Sequence, residues 1–268
     1  MKKLLSLTLC AALILSLAAC GGAGPSDVAA SLAKAQEAAA GLRSVQSDMD
    51  MDMSYTIITQ GEALDVTTTM SMSTQSIMEP LTAYSVISMD VMGVEMDVYS
   101  YVVQQGDSYA AYASLDGAEW VAQELPEEQL AQLDTMQGAK FYLSAAEGFA
   151  YGGQEELDGQ KLHRYDGELS GDILSQAVEY SGMDTLLSSY GASADTVFEG
   201  SMPMSIWLDA ETFAPVRYEL DMSQVVSGFL QSMFAEQGAE MEDASVLVSI
   251  RLSNFNSIDS IEAPAGIE

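Results

Sequence analysis

The chain has 268 residues, 9 of them basic and 40 acidic, for a formal net charge of −31. Such a balance argues against nucleic acid and anionic lipid surfaces, both of which select basic patches, and it predicts a soluble monomer held off its copies by repulsion. With 1 His and 2 Cys, both of the latter within the first 20 residues, the inventory lacks the ligand sets of zinc sites and the nucleophile of a cysteine enzyme.

At the N-terminus, Lys2 and Lys3 precede the apolar run LLSLTLCAALILSLAAC. The run is short for a transmembrane span and has the anatomy of a secretory signal. It ends Leu17-Ala18-Ala19-Cys20-Gly21, which resembles a bacterial lipobox. That resemblance implies removal of residues 1–19, acylation of Cys20 (palmitate or a similar chain), and attachment to the extracytoplasmic face of a cell membrane, on a Gram-positive surface. Cys10 then leaves with the signal and Cys20 carries lipid, so the mature chain has no thiol and no disulfide. Residues 20–25 read as a flexible tether. Residues 26–268 read as one domain, because no charge run, low-complexity block or repeat marks a second.

A helix is predicted over 26–44, started by Pro25 and Ser26, with Val28, Leu32, Ala35, Ala39 and Leu42 on one stripe. The period then changes to two. In 48–58, Met49, Met51, Met53, Tyr55 and Ile57 take one face, while Asp48, Asp50, Asp52, Ser54 and Thr56 take the other. After a QGE turn, 63–78 repeats the pattern with Leu64, Val66, Thr68, Met70 and Met72 on one face. Further strands at Tyr84–Met92, Glu95–Val103 and Ser108–Ser114, and one after the DGAEW turn, complete a six-stranded antiparallel meander.

Helices interrupt at 126–137, opened by Pro126 and stopped by Gly138, and for a turn or two at 141–147. Strands return at 149–157 and 160–169 around an LDG turn. A helix follows at 171–190, with Leu174, Val178 and Leu186 on its apolar side. Strands 198–209 and 213–222, a helix over 223–237 and a strand over 245–255 close the domain. Val226, Phe229, Leu230 and Phe234 make the apolar face of the 223–237 helix, and Val246, Val248, Ile250 and Leu252 face inward from the last strand. The fold class is therefore α+β: a single, strongly curved antiparallel sheet, a half-open barrel, with helices packed on its concave face.

Catalytic motifs are missing. There is no Gly-x-Ser-x-Gly elbow, no phosphate-binding glycine loop and no dinucleotide fingerprint, so the chain is read as a non-enzyme without a cofactor. The stretch DMDMDM (48–53) invites a metal reading. As a calcium loop beginning at Asp48 it fails: the sixth position holds Met53 instead of Gly, and the twelfth holds Thr59 instead of Glu. Thioethers suit Cu(I), but same-face strand residues stand roughly 6.5–7 Å apart, too far for neighbouring sulfurs to converge. The stretch is read as one apolar strand face made of Met. Met is unbranched and polarisable, and it is favoured where a surface must fit variable partners.

Several elements are similar to a known family: the lipobox, the first helix, the long sheet, SLDGAEWVAQEL (114–125), LDGQKLHRYDGEL (157–169) and IWLDAETFAPVRYELDM (206–222). Together they resemble the lipoprotein-carrier (LolA-like) fold, which includes the mycobacterial lipid-carrying lipoproteins and Gram-positive surface lipoproteins. The resemblance implies a half-open barrel that holds a lipid or acyl chain, and it brings no catalytic residues. The lining it points to is Met49, Met51, Met53, Tyr55, Met70, Met72, Met89, Leu174, Val178, Leu186, Val226, Phe229, Leu230 and Phe234. A competing expectation is an interaction or sensory lipoprotein that uses the same sheet as a scaffold, with its acidic outer face meeting a protein or wall component.

Overall fold

The computed structural model describes residues 27–106, 108–123, 135–180, 200–236 and 238–267. Helix α1 (Val28–Ala40) starts at Asp27, whose Oδ1 accepts the Ala30 N–H at 3.0 Å. The cap is thus one residue later than the Pro25-Ser26 signal, and the helix ends at Ala40, short of the predicted Ser44. Ser44 is already committed to the sheet, because it pairs with Ile77.

Six strands follow: β1 (Ser44–Thr59), β2 (Glu62–Met78), β3 (Leu81–Val91), β4 (Val94–Gln105), β5 (Ser108–Ser114) and β6 (Val121–Gln123). Helix α2 (Thr135–Ala145) ends in a short 3₁₀ turn, and β7 (Ala150–Leu157) and β8 (Gln160–Ser170) come next. The remaining elements are α3 (Asp172–Tyr180), β9 (Ser201–Asp209), β10 (Pro215–Asp221), α4 (Ser223–Glu236) and β11 (Glu240–Ser253).

Two of the differences from the sequence reading have a plain physical cause. Gly138 lies inside α2 and does not stop it, and the helix runs through the residues assigned to a separate turn at 141–147. Ala139 and Leu143 are buried together with Leu32, Ala35 and Ala39 of α1, and that burial outweighs the ~1 kcal/mol a helical Gly costs. Strand β11 begins at Glu240, not 245, because Met241 (5 % exposed) continues the ladder opposite Ile57 past a bulge at Ser54/Thr56. The predicted helix start at 126–134 and the second half of the 171–190 helix lie outside the described residues.

Among the described residues eleven strands form one antiparallel sheet in the order β6-β5-β4-β3-β2-β1-β11-β10-β9-β8-β7. The last strand sits in the middle and joins two meanders, so the sheet is held by a contact between chain ends. Strands β6 and β7 are its two edges and do not pair, which leaves the sheet open. Tight turns at Gln60-Gly61, Met92-Gly93 and Asp158-Gly159 have both central residues at positive φ, as two-residue hairpins with the native strand twist require.

Pleating sends alternate residues to opposite faces. The face we term inner carries Val45, Met49, Met51, Tyr165, Met204, Ile206, Tyr218, Leu220, Val248 and Leu252. These residues pack in one cluster with Leu32 and Ala35 of α1, Leu143 of α2, Leu174 of α3 and Val225 of α4. All four helices therefore meet this face, over the half of the sheet built from β1 and β8–β11.

Candidate functional site

The register lines up the Met residues across the inner face. Met51 pairs with Met70, Met70 with Met89, and Met89 with Met96. One pleat away, Met49 pairs with Met72 and Met72 with Ile87. On the other side of β1 the same rows continue as Val248–Leu220 and Ile250–Tyr218. The Asp residues of DMDMDM point to the opposite face, where Asp48 Oδ1 accepts from the Ser73 hydroxyl at 2.6 Å.

Coverage varies along these rows. Met49 and Met51 are half-buried against the central cluster, which also takes Leu174 (2 % exposed) and Phe229. Leu230 of α4 is buried at 8 % exposure and Val226 is half-buried. Tyr55 and Phe234 meet with ring centroids 5.9 Å apart, which ties the end of α4 to the outer part of β1. Met53, Met70, Met72 and Met89 are half-buried. The structure thus gathers Met49, Met51, Leu174 and Phe229 into a packed core, and extends Met70, Met72 and Met89 away from it along the sheet. Leu186 and Cys20 lie outside the described residues, as does the side chain of Val178.

Besides Tyr55, this face carries two tyrosines that were not singled out from the sequence. Tyr165 and Tyr218 are fully buried. Tyr218 donates to the Ala139 carbonyl at 3.4 Å and packs on Tyr142 with centroids 5.9 Å apart. Burial pushes the hydroxyls of both Tyr142 and Tyr218 above the ordinary tyrosine range, so both stay neutral. The signal for Tyr165 and Tyr218 was available: each occupies an inward position in a strand whose alternation is plain. His163 sits at the margin of this face, its Nδ1 3.2 Å from the Tyr151 hydroxyl and its ring near Phe213.

The outer face is organised differently. One groove of about 650 Å³ is lined chiefly by Asp50, Asp52, Thr69, Ser71, Ser88, Asp90, Glu95 and Asp97. A second, of about 610 Å³, runs past Arg164, Asp166, Ser205, Arg217 and Glu219. Among the described residues no group of three or more His, Cys, Asp or Glu side chains is placed to hold a metal ion. Among the same residues no helix is long and apolar enough to cross a membrane.

Residues 27–146 match the model of a family of unknown function, DUF6612. No curated protein sequence matches. Among solved structures, LprF from Mycobacterium bovis aligns with a TM-score of 0.53 at 17% identity, over 91% of this chain and 100% of that one. The Mycobacterium tuberculosis lipoprotein LppX aligns with a TM-score of 0.47 at 18% identity, over 88% and 100%. A LolA superfamily protein from Nitrosomonas europaea aligns with a TM-score of 0.22 at 12% identity, over 87% and 94%. At such identities a likeness carries fold and not activity. The likeness to LprF therefore shows the fold alone: an open antiparallel sheet, eleven-stranded among the described residues, with helices on one face.

Proposed function

We propose that the chain is a membrane-anchored, extracytoplasmic lipoprotein that holds an apolar ligand, a lipid or an acyl chain, against the Met-rich inner face of its sheet. The observation that carries this reading is the run of paired thioethers Met51–Met70–Met89–Met96, which leads from the packed core to half-open sheet. Met49, Met51, Leu174, Val226, Phe229 and Leu230 form the closed end of the lining in this reading. Met53, Tyr55, Met70, Met72, Met89 and Phe234 form its walls. Flexible side chains on one face let the site adapt to chains of different length. The likeness to LprF supports the fold on which this reading rests, and the lipobox ending in Cys20 supports the anchor. Binding and release are the whole of the proposed chemistry, with no cofactor and no bond-breaking step, and the working unit is a monomer.

Native mass spectrometry of the protein purified from its own membrane tests the reading. A co-purified mass in the lipid range, displaced by added fatty acid, is expected. A ligand-free protein that takes up no acyl chain overturns it.

A second reading is an interaction or sensory lipoprotein in which the sheet is only a scaffold. The two grooves on the acidic outer face favour it. Substituting outer-face residues such as Asp50→Asn and Asp97→Asn abolishes function under this reading and leaves it intact under the first.

A further inference from the structure

Beyond the proposed ligand lining, the apolar stripe of the inner face continues. On β2 the inner face runs from Val66 (7 % exposed) to Leu64 (51 %). On β3 it runs from half-buried Met89 to Val91 (46 % exposed), and on β4 from half-buried Val98 to Met96 (50 %) and Val94 (69 %). Leu64, Val91, Val94 and Met96 share the pleat side of the Met rows, so the ribbon that begins in the core emerges into solvent at the β3–β4 tip and along the end of β2 that extends past it. The β3–β4 tip lies beside the middle of β2: Thr68 pairs with Val91, and the Met92 N–H donates to the Thr67 carbonyl at 3.3 Å, while β2 continues beyond it to Glu62.

The β3–β4 turn is also unusual in its chemistry. Met92 and Gly93 take φ of 53° and 85°, a turn whose first position favours Asn, Asp or Gly. A bulky side chain is disfavoured at positive φ, yet Met92 is placed there and is 57 % exposed. The same position holds Gln60 and Asp158 in the other two such turns. The outer side of these strands carries Asp65, Asp90, Glu95 and Asp97, and residues 44–139 contain no Lys or Arg.

We propose that the β3–β4 tip, together with Leu64 on the end of β2 that extends past it, is a lipid-contacting edge. It dips into the surface of a bilayer poor in anionic lipid and passes apolar ligand between that bilayer and the inner face. This rests on the ligand reading above. A bilayer fits the tip better than a protein partner for two reasons. Five aliphatic side chains about half exposed offer at most roughly 300 Å² of apolar surface, well short of the ~800 Å² per partner of a stable protein interface. A narrow apolar finger needs no matching cleft to enter the boundary between headgroups and acyl chains. The absence of cations, with carboxylates behind the tip, selects a zwitterionic surface and repels an anionic one.

The test uses the full-length chain carrying Val94→Trp, reconstituted in phosphatidylcholine vesicles with brominated acyl chains. The emission of the new indole is read as a difference from the parent, whose Trp120 and Trp207 lie elsewhere on the sheet. Quenching in phosphatidylcholine is expected, weakened in phosphatidylglycerol-rich vesicles and recovered there by salt, since exposed charges are screened beyond ~10 Å at 0.1 M. No quenching in phosphatidylcholine, or equal quenching in both compositions at low salt, overturns the proposal. A second variant, Val91→Ser/Met92→Asn/Val94→Ser, keeps the turn, because Asn tolerates positive φ. It is expected to slow transfer of a pyrene-labelled fatty acid from phosphatidylcholine vesicles by about tenfold, the factor ~1.4 kcal/mol produces, while binding of the same probe in vesicle-free solution is unchanged. An unslowed transfer also overturns the proposal. If neither parent nor variant binds the probe in free solution, the ligand reading fails, and indole quenching still reports whether the tip meets lipid.

Discussion

The indole N–H of Trp207 donates to Glu155 Oε2 at 2.7 Å on the outer face, across the β7–β8–β9 ladder. Trp207 is only 6 % exposed there, because Arg164 and Arg217 lie over its ring at 5.8 and 5.2 Å and Leu162 and Val216 flank it. The Arg164 guanidinium in turn bonds Glu155 at 2.8 Å and Asp166 at 2.7 Å. In a chain with 9 basic residues, two are spent capping one tryptophan. Trp207→Phe is expected to keep most of the packing and lose about 1 kcal/mol with the hydrogen bond. Trp207→Ala is expected to lose about 3–5 kcal/mol. Urea unfolding followed by circular dichroism separates the two.

Acid sensitivity follows from the same cluster. The Trp207 hydrogen bond, helped by Arg164, holds the Glu155 carboxyl below the usual carboxylate range. A depressed folded pKa gives stability that is present above the unfolded value, about 4.3, and is lost as pH falls through the folded pKa. Trp207→Phe should flatten that loss, as read from unfolding midpoints at a series of acidic pH values.

His163 adds an earlier step. Burial pushes its imidazole down, only partly offset by Asp209. The unfolded chain then binds the proton first, so stability declines as pH falls from about 6.5 toward the folded pKa. His163→Gln should remove this step and leave the acidic one in place. An unchanged profile between pH 7 and 5, in units near the His range, contradicts the assignment.

Gly167 faces the inner side opposite Met204, and a Cβ there would meet Phe149 Cδ1 at 2.1 Å. Phe149 is 6 % exposed, so it cannot swing into solvent without losing its burial. Gly167→Ala is expected to destabilise by about 1–3 kcal/mol, the range for overpacking a filled site. Thermal melts check it.

Replacing Met49, Met51, Met70 and Met72 together by Leu should keep the fold, at less than about 1.5 kcal/mol per site, and narrow the range of acyl lengths bound. Native mass spectrometry over a chain-length series reads the change. An unaltered range would show that the thioethers do not shape the site.

Cys20→Ser should leave the precursor unprocessed or release the protein from membranes. Fractionation and intact mass report this, and an unchanged distribution and mass would remove the anchor.

Much of the sheet was legible because period-two patterning is a local property. DMDMDM places three carboxylates on one face and three thioethers on the other whatever β1 pairs with, and the Gly-containing turns at 61, 93 and 159 set the hairpin registers next to them. The buried outer-face Trp207 was less legible, since alternation marks it as outward, and its cover comes from neighbouring strands, from Arg164 and Arg217 over the ring and Leu162 and Val216 beside it.

By itself, then, the order of residues determined the strands, their two faces and their tight turns, because each depends on neighbours a few positions away. The tertiary structure alone decided that β11 enters between β1 and β10, that helices seat on the half of the inner face beyond β1, and that Leu174 is core while Met96 is bare. Burial is a property of what arrives from distant parts of the chain, and no local pattern records which apolar positions will be met and which will be left open.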